Sequence, residues 1–368
     1  MQIGKNLNLN DFLFNFNEIN TNSLFLQLEK LKGCFVTIYG AGGYGTYIYK
    51  ILQQYCITVS AFFDITAKED EKLFNIPVYK ADDVFTDSWK KNVIVIVALV
   101  KDYSIRKQVF DFLNNCGFNN LIDAQSIRCH LVDFDVNYCL CKDDILKAKD
   151  LYEDCSKDLY ENIVVSHLSR NYDSCIENKD LMQYNPKDIV FYKNHKNFID
   201  CGGYTGDTIL QNISIIENAI VFEPNIEVFK ILNENIKNLK VNAFLYPCAV
   251  SDNVKMININ YEGGSSSLTN KKTENNTTCV TIDSVLHGFI PTFIKMDIEG
   301  EELNALIGAI ETIKKYKPDL AISVYHNINH IWDVPILLKQ YVPSYKFYLR
   351  THNSFTMETI LYATTEEI

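Results

Sequence analysis

No apolar run in this sequence is long enough to cross a bilayer. The longest, Val93–Val100 (VIVIVALV), falls well short of the ~20 residues that a spanning helix needs. Positive charge is also scarce: 35 Lys and Arg stand against 46 Asp and Glu, a formal net charge of −11. No global positive field exists to gather phosphate backbones, so nucleic acid is not an expected partner. The opening MQIGKNLNLN has neither the apolar stretch nor the small-residue cleavage site of a secretory signal, and the expected location is the cytoplasm. Paired C-x₂-C spacing is absent as well. The eleven cysteines are odd in number and lie mostly inside apolar runs (Cys34, Cys56, Cys116, Cys201, Cys248), which reads as reduced core residues rather than a disulfide framework. The group Cys129, His130, Cys139, Cys141 and Cys155 lacks the spacing of a zinc module.

What is present is a folded α/β chain. Hydrophobic residues make up 47% and charged residues 22% of 368, close to the globular average, and at roughly 150 residues per domain the length accommodates two domains. Residues 1–32 offer an amphipathic helical segment through Phe12, Phe16, Ile19, Leu24, Leu28 and Leu31. From Cys34 apolar runs alternate with helical stretches, predicting a Rossmann-like nucleotide-binding-type domain over 33–128 with a parallel sheet covered on both faces. Residues 129–190 show helical spacing without strand signals and read as a connector. A second doubly wound series fills 191–368. Its last two apolar runs, Lys346–Leu349 and Thr359–Ala363, are too close for a helical crossover and predict an antiparallel pair. Gly263–Thr278 (GGSSSLTNKKTENNTT) is polar and of low complexity, and is expected to be a surface loop.

Two glycine turns carry the chemistry. Gly40, Gly42 and Gly45 form G-x-G-x-x-G between a strand and a helix, where backbone N–H groups can approach a phosphate, and Asp64 follows at the next strand end, where it can accept from a ribose. That pattern fits a nucleotide, NAD or a nucleotide sugar. A turn kept only for helix–strand packing is the competing reading. The second turn, Asp200-Cys201-Gly202-Gly203-Tyr204-Thr205-Gly206-Asp207-Thr208, places an acid where a pyrophosphate would be repelled and an ammonium or hydroxyl accepted. Glu223, at the end of the next strand before Pro224-Asn225, can take both hydroxyls of a ribose. Acid, glycines and acid together describe an S-adenosylmethionine pocket. Further on, FIKMDIEGEE crowds Asp297, Glu299, Glu301 and Glu302 onto one strand-to-helix turn, and the following strand delivers His326 to the same rim, with His330 and His352 near it. A neutral imidazole there could deprotonate a hydroxyl or ligate a metal; a structural histidine is the alternative.

The ordered blocks FIDCGGYTGDT, VFEPN, AVSD, TIDSVL, FIKMDIEGEE, ALIGA, KPDLAISVYH and LRTH…ETILYA resemble the FkbM-type family of S-adenosylmethionine-dependent methyltransferases over roughly 190–365. The resemblance implies a class I methyltransferase fold and methyl transfer, most often to oxygen, with sugars, glycans and natural-product hydroxyls as acceptors and surface polysaccharide biosynthesis as a setting. It implies that Asp200, Gly202, Gly206, Asp207 and Thr208 line the methionine side of the cofactor, with Ala249 of AVSD also at the cofactor. Glu223 and Asn225 then hold the ribose, while Asp297 and Glu299 face the donor methyl. Glu301 departs from the pattern, since many relatives have a small residue there. The expected base is His326 or Asp297; alternatively Asp297, Glu299 and His326 hold a divalent ion that acidifies the acceptor hydroxyl. The amino-terminal domain is expected to bind the nucleotide or nucleotide-sugar end of the acceptor. Two rival readings are an NAD-dependent oxidoreductase built on Gly40–Gly45 and Asp64, and a non-catalytic nucleotide-sugar-binding protein.

Overall fold

The computed structural model describes residues 9, 28, 30–83, 85–99, 103–124, 140–169, 175, 176, 178, 181–262, 265–269, 275–353 and 356–366. Most of the expected amino-terminal helical segment, and Cys129, His130 and Cys139, lie outside them. The chain divides into two compact units, residues 1–135 with 164–175, and residues 136–163 with 176–368.

In the first unit, strands β1 (Val36–Tyr39), β2 (Val59–Phe63), β3 (Lys72–Leu73), β4 (Ile76–Tyr79), β5 (Ile94–Val97) and β6 (Asn120–Asp123) form one sheet in the order β3-β4-β2-β1-β5-β6. All pairs are parallel except β3 with β4. Helices α1 (Gly43–Gln54), α2 (Asp87–Asn92) and α3 (Tyr103–Asn115) connect them. Both faces are buried. Ile38, Phe62 and Ile96 pack with Ile48 and Leu52 of α1, while Tyr39, Phe63, Val95 and Val97 pack with Leu113 and Phe118. This is why these strands read as continuous β-branched runs rather than alternating ones.

In the second unit, helices α4 (Lys142–Leu151) and α5 (Asp154–Ser169, which enters this unit as far as 163) precede the main sheet. Its strands are β7 (Asn197–Cys201), β8 (Asn218–Phe222), β9 (Asn242–Tyr246), β14 (Phe293–Met296), β15 (Asp319–Ser323), β16 (Lys346–Thr351) and β17 (Thr359–Thr364), in the order β16-β17-β15-β14-β7-β8-β9. Only β17 runs antiparallel to its neighbours, where an antiparallel pair is expected from the short separation of the last two runs. Helices α6 (Asp207–Gln211), α7 (Ile226–Ile236), α8 (Ile282–Val285), α9 (Glu302–Ile307), α10 (Ile310–Tyr316) and α11 (His330–Tyr341) complete the unit. The two α/β sheets, the second closing on an antiparallel strand, are the fold class that the sequence predicts.

Two features differ from expectation. The stretch read as a connector is helical where described at 142–169, yet its first part is built into the second unit: the Tyr152 hydroxyl donates to the Ile331 carbonyl at 2.7 Å, and the Glu153 N–H to the Phe347 carbonyl. The polar stretch read as a loop supplies β12 (Ser265–Thr269) and the start of β13 (Asn276–Val280), which join β10 (Ala249–Val250) and β11 (Lys255–Glu262) in a separate sheet ordered β10-β13-β11-β12. In β13 one face meets solvent: Thr277 and Cys279 are buried, while Asn276 and Thr278, which alternate with them, are exposed.

Candidate functional site

The sheet order reverses between β7 and β14: the chain leaves β7 for β8 on one side and returns through β14 on the other. Open α/β sheets bind ligands at such a point, outside the carboxyl ends of the strands. A cavity of about 350 Å³ lies there, lined by the turn after β7, the ends of β8 and β14, residues 248–250, Tyr184, Tyr325, Glu358 and Leu268 of β12.

The glycine turn is set by close packing. Gly202 has φ +82°, and a Cβ there would stand 2.0 Å from the Asp297 carbonyl oxygen, so only glycine lets β7 and β14 end side by side. Gly206 is the N-cap of α6, and Thr208 in its first turn is buried. At the end of β8, Glu223 is buried and accepts from the backbone N–H of Tyr204 at 3.0 Å and of Asn225 at 2.8 Å. Burial raises its pKa, against the pull of those two N–H groups. These bonds fix the carboxylate at the cavity wall and leave a lone pair on each oxygen for a ligand.

Several expected ligand residues stand behind the cavity rather than on it. Asp200 is fully buried, with Lys295 between it and the cavity: Nζ lies 3.0 Å from Asp200 Oδ1 and 2.6 Å from the Gly202 carbonyl oxygen. Among the described residues Asp200 Oδ2 has no hydrogen-bond partner. Burial works against the Lys295 charge, but Asp200 and Asp297 hold the ammonium more firmly protonated than usual. Asn225 spends its side chain capping α7, accepting from Glu227 and Val228. Gly202, Asp207, Thr208, Glu223, Ala249, Asp297 and Glu299 do line the cavity.

Sequence reasoning missed Lys295 and Tyr184. Lysine in the middle of an apolar strand buried on both faces was the available signal, since such a side chain needs an acid nearby. Tyr184 carried none. Its hydroxyl donates to Asp297 Oδ2 at 2.8 Å, its ring lies beneath Lys295 Nζ at 5.3 Å, and Tyr325 donates to Asp297 Oδ1 at 3.3 Å.

At the other end of the cavity the acids gather around one imidazole. His326 Nδ1 is 2.8 Å from Glu302 Oε1, while Nε2 lies 3.6 Å from Asp297 Oδ1 and 3.5 Å from Glu299 Oε2. Glu302 is fully buried, accepts from the Ile298 N–H at 3.0 Å and faces His330 Nδ1 at 3.3 Å. Burial would raise the Glu302 carboxyl, but the two imidazoles bring it far below the usual range. Burial would lower the His326 imidazole, but Glu302, Asp297 and Glu299 push it up to about 9. Among the described residues, Asp297, Glu302 and His326 each bring a ligand atom within 4.8 Å of the others. Glu301 accepts from Ser251 and Asn304 and also lines the cavity. His352 lies apart from this group, with Nε2 2.8 Å from the Tyr362 hydroxyl.

The first glycine turn is arranged differently. A Cβ on Gly45 would stand 1.8 Å from the Gly40 carbonyl oxygen, and one on Gly40 would meet the Ala98 carbonyl at 2.6 Å, so both serve packing. Asp64 accepts from the Ala41 N–H at 2.9 Å and from the Thr66 N–H and hydroxyl, which together hold its pKa down against burial. Gly42, the N-cap of α1, faces open space.

Residues 200–354 match the methyltransferase FkbM domain model. This segment is an FkbM methyltransferase domain. Residues 36–113 match the PglD N-terminal domain. A solved structure of methyltransferase FkbM from Methylobacillus flagellatus KT shares the fold, with a TM-score of 0.77 and 20% identity over 96% of this chain and 99% of that one. A TehB-like SAM-dependent methyltransferase from Corynebacterium glutamicum superposes at a TM-score of only 0.25, with 8% identity over 49% of this chain and 83% of that one, and carries no argument. No curated protein matches the chain. The FkbM domain match thus holds most of the residues that line the cavity, with Tyr184 and Glu358 outside it, and the PglD-like segment holds the first glycine turn. Among the described residues no helix is long and apolar enough to cross a membrane.

Proposed function

We propose that the FkbM domain transfers a methyl group from S-adenosylmethionine to a hydroxyl of a sugar, nucleotide sugar or glycan. The observation that carries this reading is the arrangement of one cavity: a glycine turn and a fixed, buried Glu223 at one end, and the carboxylates of Asp297 and Glu299 at the other. The residues fit the cofactor. Each Glu223 oxygen keeps a lone pair for a ribose hydroxyl, and the lining acids Asp207, Glu223 and Asp297 favour a molecule bearing sulfonium and ammonium charges.

The bound cofactor supplies an electrophilic methyl on a good leaving group, so holding the acceptor oxygen in line supplies much of the rate. Asp297, fixed by Tyr184 and Tyr325, is placed to orient an acceptor hydroxyl and to take its proton. His326 is the less available of the two expected bases, because three carboxylates keep its ring in the charged form, which has no lone pair left to accept a proton. Asp200 acts through Lys295, holding the floor of the cavity, rather than by touching the cofactor.

The open helix N-terminus at Gly42 and the similarity to a PglD N-terminal domain support binding of a nucleotide or sugar-phosphate group by the first unit. The domain limits we propose are 33–128 and 191–368. The cysteine pattern of the sequence, scattered and mostly inside apolar runs, supports a reducing, cytoplasmic setting.

Calorimetric titration with S-adenosylhomocysteine tests the reading. Micromolar binding that is lost in Glu223→Ala is expected. Absence of binding to the native protein, or binding that Glu223→Ala leaves intact, removes it.

A further inference from the structure

We propose that the ring of Tyr204 covers the ribose of the bound donor at the mouth of the cavity. This role presupposes the methyl-transfer reading, which by itself needs no aromatic residue in the glycine turn. Backbone strain gathers around the cavity. Among the described residues, twelve that are not glycine have a left-handed backbone, and four of them, Tyr184, Tyr204, Glu299 and Glu358, line it. Such a conformation costs a bulky residue energy and persists only where the surroundings impose it. Three of the four have a side-chain partner: Tyr184 donates to Asp297, Glu299 Oε2 lies 3.5 Å from His326 Nε2, and Glu358 accepts from Asn353 at 3.3 Å. Tyr204 has none. Among the described residues its hydroxyl makes no hydrogen bond and its ring makes no ring contact, and the residue is 48% exposed.

The turn itself fixes where that residue stands. The N–H groups of Gly202 and Gly203 both donate to the Phe222 carbonyl, that of Gly206 donates to the Gly203 carbonyl, and the Thr205 carbonyl accepts from Asn235. A Cβ on Gly203 would meet Val221 at 2.2 Å, so the turn is packed hard against β8. The Tyr204 N–H is committed to Glu223 Oε2 at 3.0 Å and holds φ at +44°. The ring therefore stands one residue's reach from the carboxylate placed to take the ribose hydroxyls. An aromatic face beside a carboxylate suits a ligand with C–H groups on its face and hydroxyls at its edge, as a ribose has. A ring already fixed by its backbone loses little freedom when the ligand arrives, so covering the sugar adds affinity at small entropic cost. The strain that no contact within the chain offsets then has a use in the complex.

The test measures S-adenosylhomocysteine affinity of the full chain by calorimetry, together with the melting temperature of each variant. Tyr204→Gly removes the ring and the strain at once, so the melting temperature should equal or exceed that of the native protein while affinity falls at least fivefold. Tyr204→Asn, whose short side chain tolerates a left-handed backbone, should lose affinity by at least the same factor. Tyr204→Phe, which keeps the ring, should restore it to within twofold of native. Hydroxyl-radical footprinting, read by mass spectrometry on the peptide that carries Tyr204, should show the ring oxidised in the free protein and protected at saturating S-adenosylhomocysteine. A loss below fivefold in Tyr204→Asn, an equal loss in Tyr204→Phe, or oxidation that the ligand leaves unchanged overturns the proposal. Native protein that binds no S-adenosylhomocysteine removes the methyl-transfer reading and this role with it, whereas native affinity that Tyr204→Gly and Tyr204→Asn both keep removes the role of Tyr204 alone.

Discussion

Lys295 and Asp200 form an ion pair one layer below the cavity, Nζ to Oδ1 3.0 Å, with almost none of either side chain exposed. Removing one partner leaves the other charged and buried, which costs about 3–5 kcal/mol. Lys295→Met and Asp200→Leu should each destabilise the protein by that amount in urea unfolding. The double variant should cost clearly less than the sum, and additive losses would show that the pair is not coupled.

Gly202→Ala should be among the most damaging small substitutions in the chain. The added carbon meets the Asp297 carbonyl at 2.0 Å and the backbone is in a left-handed region, so the turn must move and the Asp297 carboxylate with it. We expect a loss of at least ~1–3 kcal/mol in stability together with lost S-adenosylhomocysteine affinity. Wild-type affinity would separate this turn from the binding site.

In the first unit the glycines divide by role. Gly45→Ala should destabilise, because its Cβ would overlap the Gly40 carbonyl oxygen, whereas Gly42→Ala meets nothing and should change the melting temperature little. Gly42→Glu should abolish any affinity for a nucleotide sugar while leaving the fold intact. An unchanged affinity in that variant would leave the turn with a packing role only.

Burial holds the His352 imidazole below its ordinary value, against the pull of the Leu181 carbonyl. The unfolded chain therefore binds this proton first, so stability falls as pH drops below the unfolded value of ~6.5 and continues to fall until the folded ring also titrates. His352→Gln should flatten that limb of the stability curve between pH 7 and 5. An identical slope in the variant would assign the acid sensitivity elsewhere.

The strands that build the main sheets were legible because they are buried on both faces, and the turn residues after β7, β8 and β14 were legible because glycines and acids have few other reasons to sit at strand ends. What escaped has physical causes. The β12 and β13 strands of the small sheet are rich in Ser, Thr and Asn, a composition shared with loops, and β13 alternates buried and exposed positions. Asp200 lies beneath the cavity lining rather than on it, because the lysine that pairs with it arrives from β14, 95 positions later in the chain. The role of Glu302 depends on two histidines from the next strand and helix, and such a convergence has no trace in local spacing.

Leu268 reaches the cavity from the β11–β12 hairpin, whereas the glycine turn and the acids at Glu223 and Asp297 come from the main sheet. On the methyl-transfer reading proposed above, donor and acceptor would then be held by separable parts of the chain. A lineage could exchange this hairpin for another and change what is methylated without disturbing the donor's seat. Leu268→Ala should accordingly alter the KM for the acceptor more than the affinity for S-adenosylhomocysteine, and hairpin swaps are the natural starting point for redirecting the enzyme.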